Sequence, residues 1–461
     1  MKKGYWIALG LVLVLALGVF AAACGSATTT TTAATTATTA APSTETTAAP
    51  STETTAAPST DTTAAANTSP LKFGIAISLT GDSAPPCQQI KQAFDTEAKY
   101  INANGGINGR MVELTYVDDQ SKMDTAVAAI QSLVDQKMDV IMGPFPQWTQ
   151  APTRDITQKA GILQIAFGPP TLAELNTDQS AWTYYFMPAT GPDGCADAFA
   201  REMVADGKKN VLLIGDQMVI SQESLKVLNE VLPKLGIKST LMSDSWGLGE
   251  TDVTPIANKI AAKAKEVNPD AIVLGSNPVH VNQMTKILRS LGVKAPIYNQ
   301  ASGAHPLVIL APAGNDPANV AGDFAFGPAI VDPAQIPDAY PAKADLNAFI
   351  ARWKADNPKE PFASLFLGFG YDTIHLAEQA IKTAATQDEA GWAAAMTKVD
   401  WVGAQGRYKF SASDHVGNHG GFMQWQYTVD PAQGFKFVRD LNSLTDPTLL
   451  PETVAVVQTM K

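Results

Sequence analysis

From Lys72 onward the chain repeats one pattern, a short apolar, β-rich run followed by a longer stretch with helical spacing. Lys72–Ser78 precedes a helical stretch at Gln88–Ala103, Val112–Val117 precedes Asp124–Gln136, and Val140–Met142 precedes Gln150–Lys159, before a fourth run at Ile162–Ala166. Such alternation predicts a parallel sheet wrapped by helices, an α/β fold. After Tyr184–Met187 the pattern restarts with Cys195–Ala205, Val211–Ile214, Ser221–Lys234, Ser239–Ser243, Ile256–Lys265, Ala271–Leu274, Val281–Leu291 and Ile297–Asn299. Two similar βα lobes therefore follow one another. A strand-like Val320–Phe326 leads to helices near Leu346–Asp356, Phe362–Thr383 and Asp388–Thr397, and the end turns β-like at Gly406–Ser411, Phe422–Thr428 and Gly434–Phe437.

The first seventy residues obey other rules. Met1-Lys2-Lys3, an apolar run from Tyr5 to Ala23 and the small residues Ala21-Ala22-Ala23 before Cys24 form a basic n-region, an h-region and a cleavage site. A run of that length could also span a bilayer as an uncleaved anchor. Cys24 decides against it, because a Cys directly after three small residues resembles the lipobox of bacterial lipoproteins, whose Cys is acylated and becomes the new N-terminus. The resembled motif prefers Leu or Val where this chain has Ala21. Residues 25–69 are nearly all Thr, Ala, Pro and Ser, with acids only at Glu45, Glu53 and Asp61. That composition cannot bury a core. It predicts a disordered stalk (24–69 with its anchor) reaching roughly 40 Å.

About 390 residues remain after the stalk, which suits two domains better than one core. The formal net charge is −11 and no Lys/Arg cluster could track a phosphate backbone, so nucleic acid is excluded as a partner. Cys87 and Cys195 would meet an oxidising compartment, where they either form a disulfide or stay as two buried thiols. Two Cys and five scattered His show no metal-ligand spacing, and no cofactor motif is present.

Catalytic signatures are missing as well. Gly105-Gly106-Ile107-Asn108-Gly109 follows a helix and precedes a strand, the reverse of a dinucleotide fingerprint, and reads as a helix stop. Asp118-Asp119 could be paired acids or a solvated strand end. His280 and His305 fall where loops could face a cleft, whereas His375 lies within a helix and His415 and His419 in a turn-rich stretch. None has an evident catalytic partner, so the chain reads as no enzyme.

Several blocks resemble a known family. Phe73–Thr80-Gly81, Tyr100-Ile101-Asn102-Ala103-Asn104-Gly105-Gly106-Ile107-Asn108-Gly109-Arg110, Asp118-Asp119-Gln120, Ile141-Met142-Gly143-Pro144, Asn268-Pro269-Asp270 and Gly370-Tyr371-Asp372 are similar, in order and spacing, to the branched-chain amino-acid type of periplasmic solute-binding protein that feeds ABC importers. The similarity covers roughly Leu71 to Val438. It implies the type I fold, two doubly wound parallel-sheet lobes joined by a three-crossover hinge with a ligand held in the cleft. On that basis lobe 1 comprises 71–188 and 327–402, lobe 2 comprises 189–326 and 403–440, and 441–461 is a tail that packs on lobe 2 or trails free.

In the resembled family the loop matching Gly143–Thr149 cradles a ligand carboxylate, with Ser where this chain has Gln147. Loops that open helices expose free amides suited to such a group. The family also holds an α-ammonium with a hydroxyl and a second-lobe carboxylate. Matching positions here read Gly168-Pro169-Pro170, Asn299-Gln300-Ala301-Ser302, Pro85-Pro86 and Ile220, with no acid. Enclosing an unpaired ammonium costs several kcal/mol, against the roughly 8 kcal/mol of a micromolar complex. Asp216 could supply a substitute charge or cap a helix. The expected ligand is a small carboxylate or amide with an apolar or aromatic body, held by Gln147, Trp148, Thr149, Phe167 and Gly168 on one lobe and Ile220, Asn277 and Gln300 on the other. The resemblance further implies a monomer that delivers its ligand to importer permease subunits. Cys24 would anchor it on the outer face of a Gram-positive-type cytoplasmic membrane. A sensor reporting the solute to a membrane partner is the alternative.

Overall fold

Two sheets organise the computed structural model, which describes residues 68–145, 147–308, 316–360, 362–430, 434–441 and 448–460. The expected leader at 1–23, the lipidation site Cys24 and all but the last two residues of the stalk lie outside the described residues. The first lobe runs β1 (Leu71–Ile77), α1 (Ala84–Ala103), β2 (Val112–Asp118), α2 (Met123–Asp135), β3 (Val140–Met142), α3 (Gln147–Ala160), β4 (Leu163–Ile165), the single turn α4 (Leu172–Leu175) and β5 (Tyr185–Phe186). The second runs α5 (Pro192–Ala205), β6 (Asn210–Gly215), α6 (Val219–Val231), β7 (Lys238–Leu241), α7 (Thr254–Val267), β8 (Ala271–Gly275), α8 (Pro278–Ser290), β9 (Ile297–Asn299) and β10 (Phe324–Gly327). The remainder comprises α9 (Lys343–Asp356), α10 (Phe366–Thr383), α11 (Glu389–Met396), β11 (Asp400–Val402), β12 (Arg407–Lys409), β13 (Met423–Tyr427), β14 (Phe435–Asp440) and α12 (Pro451–Thr459).

Both sheets share one winding. The first has the order β2-β1-β3-β4-β5, all parallel, and the second repeats it as β7-β6-β8-β9-β10 before adding β13 and β14 antiparallel at one edge. Strands covered on both faces must be apolar throughout. Accordingly Phe73, Ile75, Ala76 and Ile77 of β1 and Ile272, Val273 and Leu274 of β8 are wholly buried. The strand order reverses between β1 and β3 and again between β6 and β8, and in open α/β sheets the crevice beyond such a reversal is where ligands bind. The glycine block at 105–109 is a turn, as its place in the chain predicts. Gly106 has φ +75° and a Cβ there would lie 2.2 Å from the Arg110 carbonyl oxygen, so the stop after α1 requires glycine.

Three segments join the lobes, at 187–191, 327–331 and 411–422. The third falls later than the expected 402/403 boundary. Gly406–Ser411 is strand-like, as its sequence suggests, but β12 pairs with β11, and Tyr408 and Phe410 pack with Ile374 and Trp392 in the first-lobe core. The first and third crossings are bonded to each other, and the second to the segment that leads into the third. Met187 N–H donates to the His415 carbonyl (2.9 Å), Thr190 Oγ1 donates to Asn418 Oδ1 (2.9 Å), and Ile330 N–H donates to the Ala404 carbonyl (3.3 Å). Asp372 of α10 accepts hydrogen bonds from the Ala404 and Gln405 amides and the Tyr408 hydroxyl. His419 bridges Asp193 and Asp414. A shared apolar cluster backs this joint, with Ala93, Leu367 and Tyr371 from the first lobe meeting Ala325, Met423 and Trp425 from the second.

Cys87 and Cys195 are free thiols, which overturns the disulfide expectation. Cys87 lies in the first-lobe core with Ile90 and Phe94, and Cys195 in the second-lobe core with Phe199 and Leu225. Each sits in the first helix of its lobe, yet both side chains turn into separate cores instead of toward a common joint. The tail is part of the second lobe. α12 packs on α5 and α6 through Val456 and Val457, and Asp197 accepts from the Leu450 amide and the Thr453 hydroxyl.

Candidate functional site

On the first lobe the site is built where β3 and β4 end. Gly143 has φ +94° and a Cβ there would lie 2.1 Å from the Ala76 carbonyl oxygen, so the chain leaving β3 passes flush against β1. Phe145 follows, then α3 opens at Gln147. The first amides of a helix have no partner within it, so this end offers N–H donors. Gln147 is buried and its Nε2 donates to the Pro170 carbonyl (2.8 Å), tying the β3 loop to the β4 loop. Thr149 is buried beside it, whereas Trp148 is 44% exposed and packs in no core cluster. Gly168 must be glycine, since a Cβ would meet Gln150 Nε2 at 1.9 Å and the Phe145 carbonyl at 2.0 Å. Phe167 is wholly buried and stacks on Phe145 at 6.2 Å.

Phe145 is the centre of an aromatic group that sequence reasoning did not assign. Its ring meets Phe366 edge-on at 6.0 Å and Phe369 at 5.5 Å, both from the opening turns of α10. From the second lobe, His305 reaches Phe366 (5.6 Å) and Phe362 (5.7 Å). Burial pushes the His305 imidazole down to about 4, so it stands among these rings as a neutral aromatic. Phe366 and Phe369 carry helical spacing and read in sequence as core of α10. Only the place where α10 begins exposes them.

On the second lobe the strand ends carry polar groups. Asp216 follows β6 and is fully buried. Its Oδ1 accepts the Met218 amide (3.1 Å) and its Oδ2 the Asn277 amide (2.8 Å), so it spans the reversal between β6 and β8. Burial raises the Asp216 carboxyl above its ordinary value, opposed by hydrogen bonds from the Ser221 hydroxyl and the two amides. Asn277 caps α8 by accepting the Val279 amide. Gln300, 3% exposed, donates to Ser221 Oγ at 2.8 Å. Ile220 lies half-buried at the edge of the second-lobe core. Gln147, Phe167 and Gly168 are therefore linked on one lobe, while on the other Asn277 is tied to Asp216 and Gln300 to Ser221. Trp148 and Ile220 stand apart from both networks.

The remaining suspects have structural partners. Asp118 pins the loop after β1 by accepting from Leu79 and Thr80, and buried Asp119 accepts from Ser78, so they do not form a solvated strand end. His280 accepts from the Trp246 indole, His375 bonds Glu97 and Glu378, and His415 stacks on Phe186 at 4.3 Å. Two hollows lie elsewhere, about 530 Å³ between α10, α11 and β11 and about 650 Å³ beside α12. Neither lies beyond the carboxyl ends of the two parallel sheets, and we place the site where the buried polar groups converge. Among the described residues no cluster of His, Cys, Asp or Glu could hold a metal, and no helix is long and apolar enough to cross a membrane.

A sequence profile described as "Periplasmic binding protein" matches residues 70–427. The Leu/Ile/Val-binding protein homolog 2 of Brucella abortus is 26% identical over 331 residues, covering 70% of this chain and 81% of that protein. An amino acid binding protein of Pseudomonas aeruginosa is 28% identical over 225 residues, covering 48% and 58%. Among solved structures, an extracellular ligand-binding receptor from Rhodopseudomonas palustris superposes with TM-score 0.67 at 22% identity, covering 80% of this chain and 99% of that one. A branched-chain amino acid transporter substrate binding protein from Streptococcus pneumoniae, solved with isoleucine, gives 0.61 at 18%, covering 80% and 100%.

Proposed function

Given that the chain belongs to the periplasmic binding protein family, in its Leu/Ile/Val-binding type, we propose that it captures a small carboxylate or amide with an apolar or aromatic body and delivers it to an ABC importer. The family binds solutes and is not enzymatic. The observation that carries the ligand reading is the pairing of Phe145, Phe366, Phe369 and His305 with a second-lobe rim whose one central acid, Asp216, is already committed to two backbone amides. Rings give an apolar body a surface to stack on. The amides opening α3 suit a carboxylate or carbonyl oxygen, with Gln147, Trp148, Thr149 and Gly168 around it. An α-ammonium at this rim would have to share Asp216 with the Met218 and Asn277 amides, and an ammonium buried without a full partner costs several kcal/mol. Capture works by closure, because only a closed cleft lets both lobes touch the solute, so the ligand favours that state by its differential affinity.

The names of the sequence relatives favour a second reading, in which the ligand is leucine, isoleucine or valine. Calorimetry against leucine, glutamate, benzoate and short-chain amides separates the two. We expect micromolar binding of an acid or amide; tight leucine binding without response to the others would discard the ligand reading and keep the binding protein. For localisation, the lipobox-like Ala21-Ala22-Ala23-Cys24 supports a lipid anchor on the outer face of the membrane, and several acyl chains suffice where one would be marginal. The mass of the mature N-terminal peptide reads that directly. Delivery as a monomer, as opposed to sensing, is tested by uptake in vesicles carrying the partner permease.

A further inference from the structure

One piece of the first lobe is carried by the second. By its place between β4 and β5, α4 belongs to the first sheet, yet Leu172, 5% exposed, sits in the second-lobe core with Cys195, Phe199, Leu225 and Val456. The Leu172 amide donates to Glu223 Oε2 of α6 at 2.8 Å, and Asn176 Nδ2 donates to the Met460 carbonyl beyond α12 at 3.3 Å. The turn itself is stiff, because Thr171 Oγ1 accepts the Glu174 amide while the Glu174 carboxylate accepts the Thr171 amide. It also lies flush on the first crossing, since a Cβ on Gly191 would meet Pro170 at 2.9 Å and Leu175 at 3.1 Å. Just before Leu172, the Pro170 carbonyl accepts from Gln147 Nε2 at 2.8 Å, and Gln147 opens α3. Gln147 is buried, and a buried amide is expensive to leave without its acceptor. An unbroken series of bonds therefore runs from Gln147 through Pro170 and Leu172 to Glu223, joining the helices that follow β3 and β6.

We infer that α4 is a strap fastened to the second lobe by Glu223, and that it couples the opening of α3 to the position of that lobe. As the lobes swing, Leu172 stays in the second-lobe core, so either the opening of α3 follows or the Gln147–Pro170 bond breaks. A solute on the α3 amides thereby bears on the lobe angle, and by linkage the lobe angle bears on the solute. That consequence rests on the solute-binding reading; the link itself does not. Glu223 is a positioning residue that acts on Gln147 through Pro170.

Amide hydrogen exchange of the full chain, read residue by residue, tests the link. In Glu223→Ala the Leu172 amide should exchange at least about tenfold faster than in wild type. The amides of Ala151, Thr153 and Arg154, which close the first turn of α3, should exchange at least about threefold faster. Glu223→Gln keeps an acceptor and should hold all four within about twofold of wild type. Added to Gln147→Ala, Glu223→Ala should still free Leu172 but leave the three α3 amides unchanged. Glu223 is only half-buried, so the fold tolerates both replacements, and amides of α7, on the other face of the second sheet, should not move in any variant. A Leu172 amide as well protected in Glu223→Ala as in wild type overturns the inference, as does acceleration confined to Leu172, or an effect on α3 that persists in Gln147→Ala. Exchange needs no solute, so a wild type that captures none of the solutes named above would sink the solute-binding reading and leave the link standing.

Discussion

Cys87 and Cys195 sit in apolar surroundings that push both thiols up to about 12, chiefly because a thiolate would have to leave water. Both should resist a polar thiol reagent in the native protein and react after unfolding. In a chain carrying Cys24→Ser, colorimetric counting is expected to find no fast thiol in buffer and two in guanidinium, and a linked Cys87–Cys195 peptide in a non-reduced digest would refute the assignment. Chemistry at single residues was legible in the sequence only where one side chain decides the matter. The want of an acid at Gln300 and Ile220 is visible from identity alone. That Asp216 is committed to the Met218 and Asn277 amides is not, because Asn277 is 61 residues away.

At the scale of elements, period did most of the work. Val140–Met142 and Ile297–Asn299 coincide with β3 and β9, since short, mostly apolar runs between helical stretches have few other fates. Two kinds of element escaped. β11 is three residues long and its partner begins five residues on, so no alternation could build up. α12 presents Thr453, Val456 and Val457 to the core, spaced as one helical face but too briefly to announce it. Its contribution is measurable. Val456→Ala should destabilise the fold by about 1–2 kcal/mol through the cavity left against α5 and α6, seen as a lower urea midpoint with unchanged slope. No change would mean that α12 does not cover that face in solution. The aromatic group was missed for a related reason: Phe366 and Phe369 obey helical spacing, and spacing cannot tell which turn of α10 reaches the cleft.

For the molecule as a whole the joint between lobes is the controlling part, and Asp372 is its centre. Burial pushes this carboxyl up to about 7 despite the hydrogen bonds donated by Tyr408, Ala404 and Gln405. A carboxyl raised in the folded state holds its proton more tightly there than in the unfolded chain. Its contribution to stability is therefore complete below about pH 4 and is lost as pH rises through about 7. Relative to Asp372→Asn, wild type should lose stability between about pH 4 and 7, by roughly 4 kcal/mol at most, and run parallel above that. Parallel curves across the whole range would mean that the carboxyl titrates normally. The same joint carries a further consequence. The first and third crossings are hydrogen-bonded to each other, and the second and third both bond the Ala404–Gln405 segment that Asp372 of α10 holds, so all three are tied to one place. Crossings tied at one place should bend together, so a dye pair set across the lips is expected to report closure as one distance change, and two pairs at different points that changed independently on ligand addition would refute it.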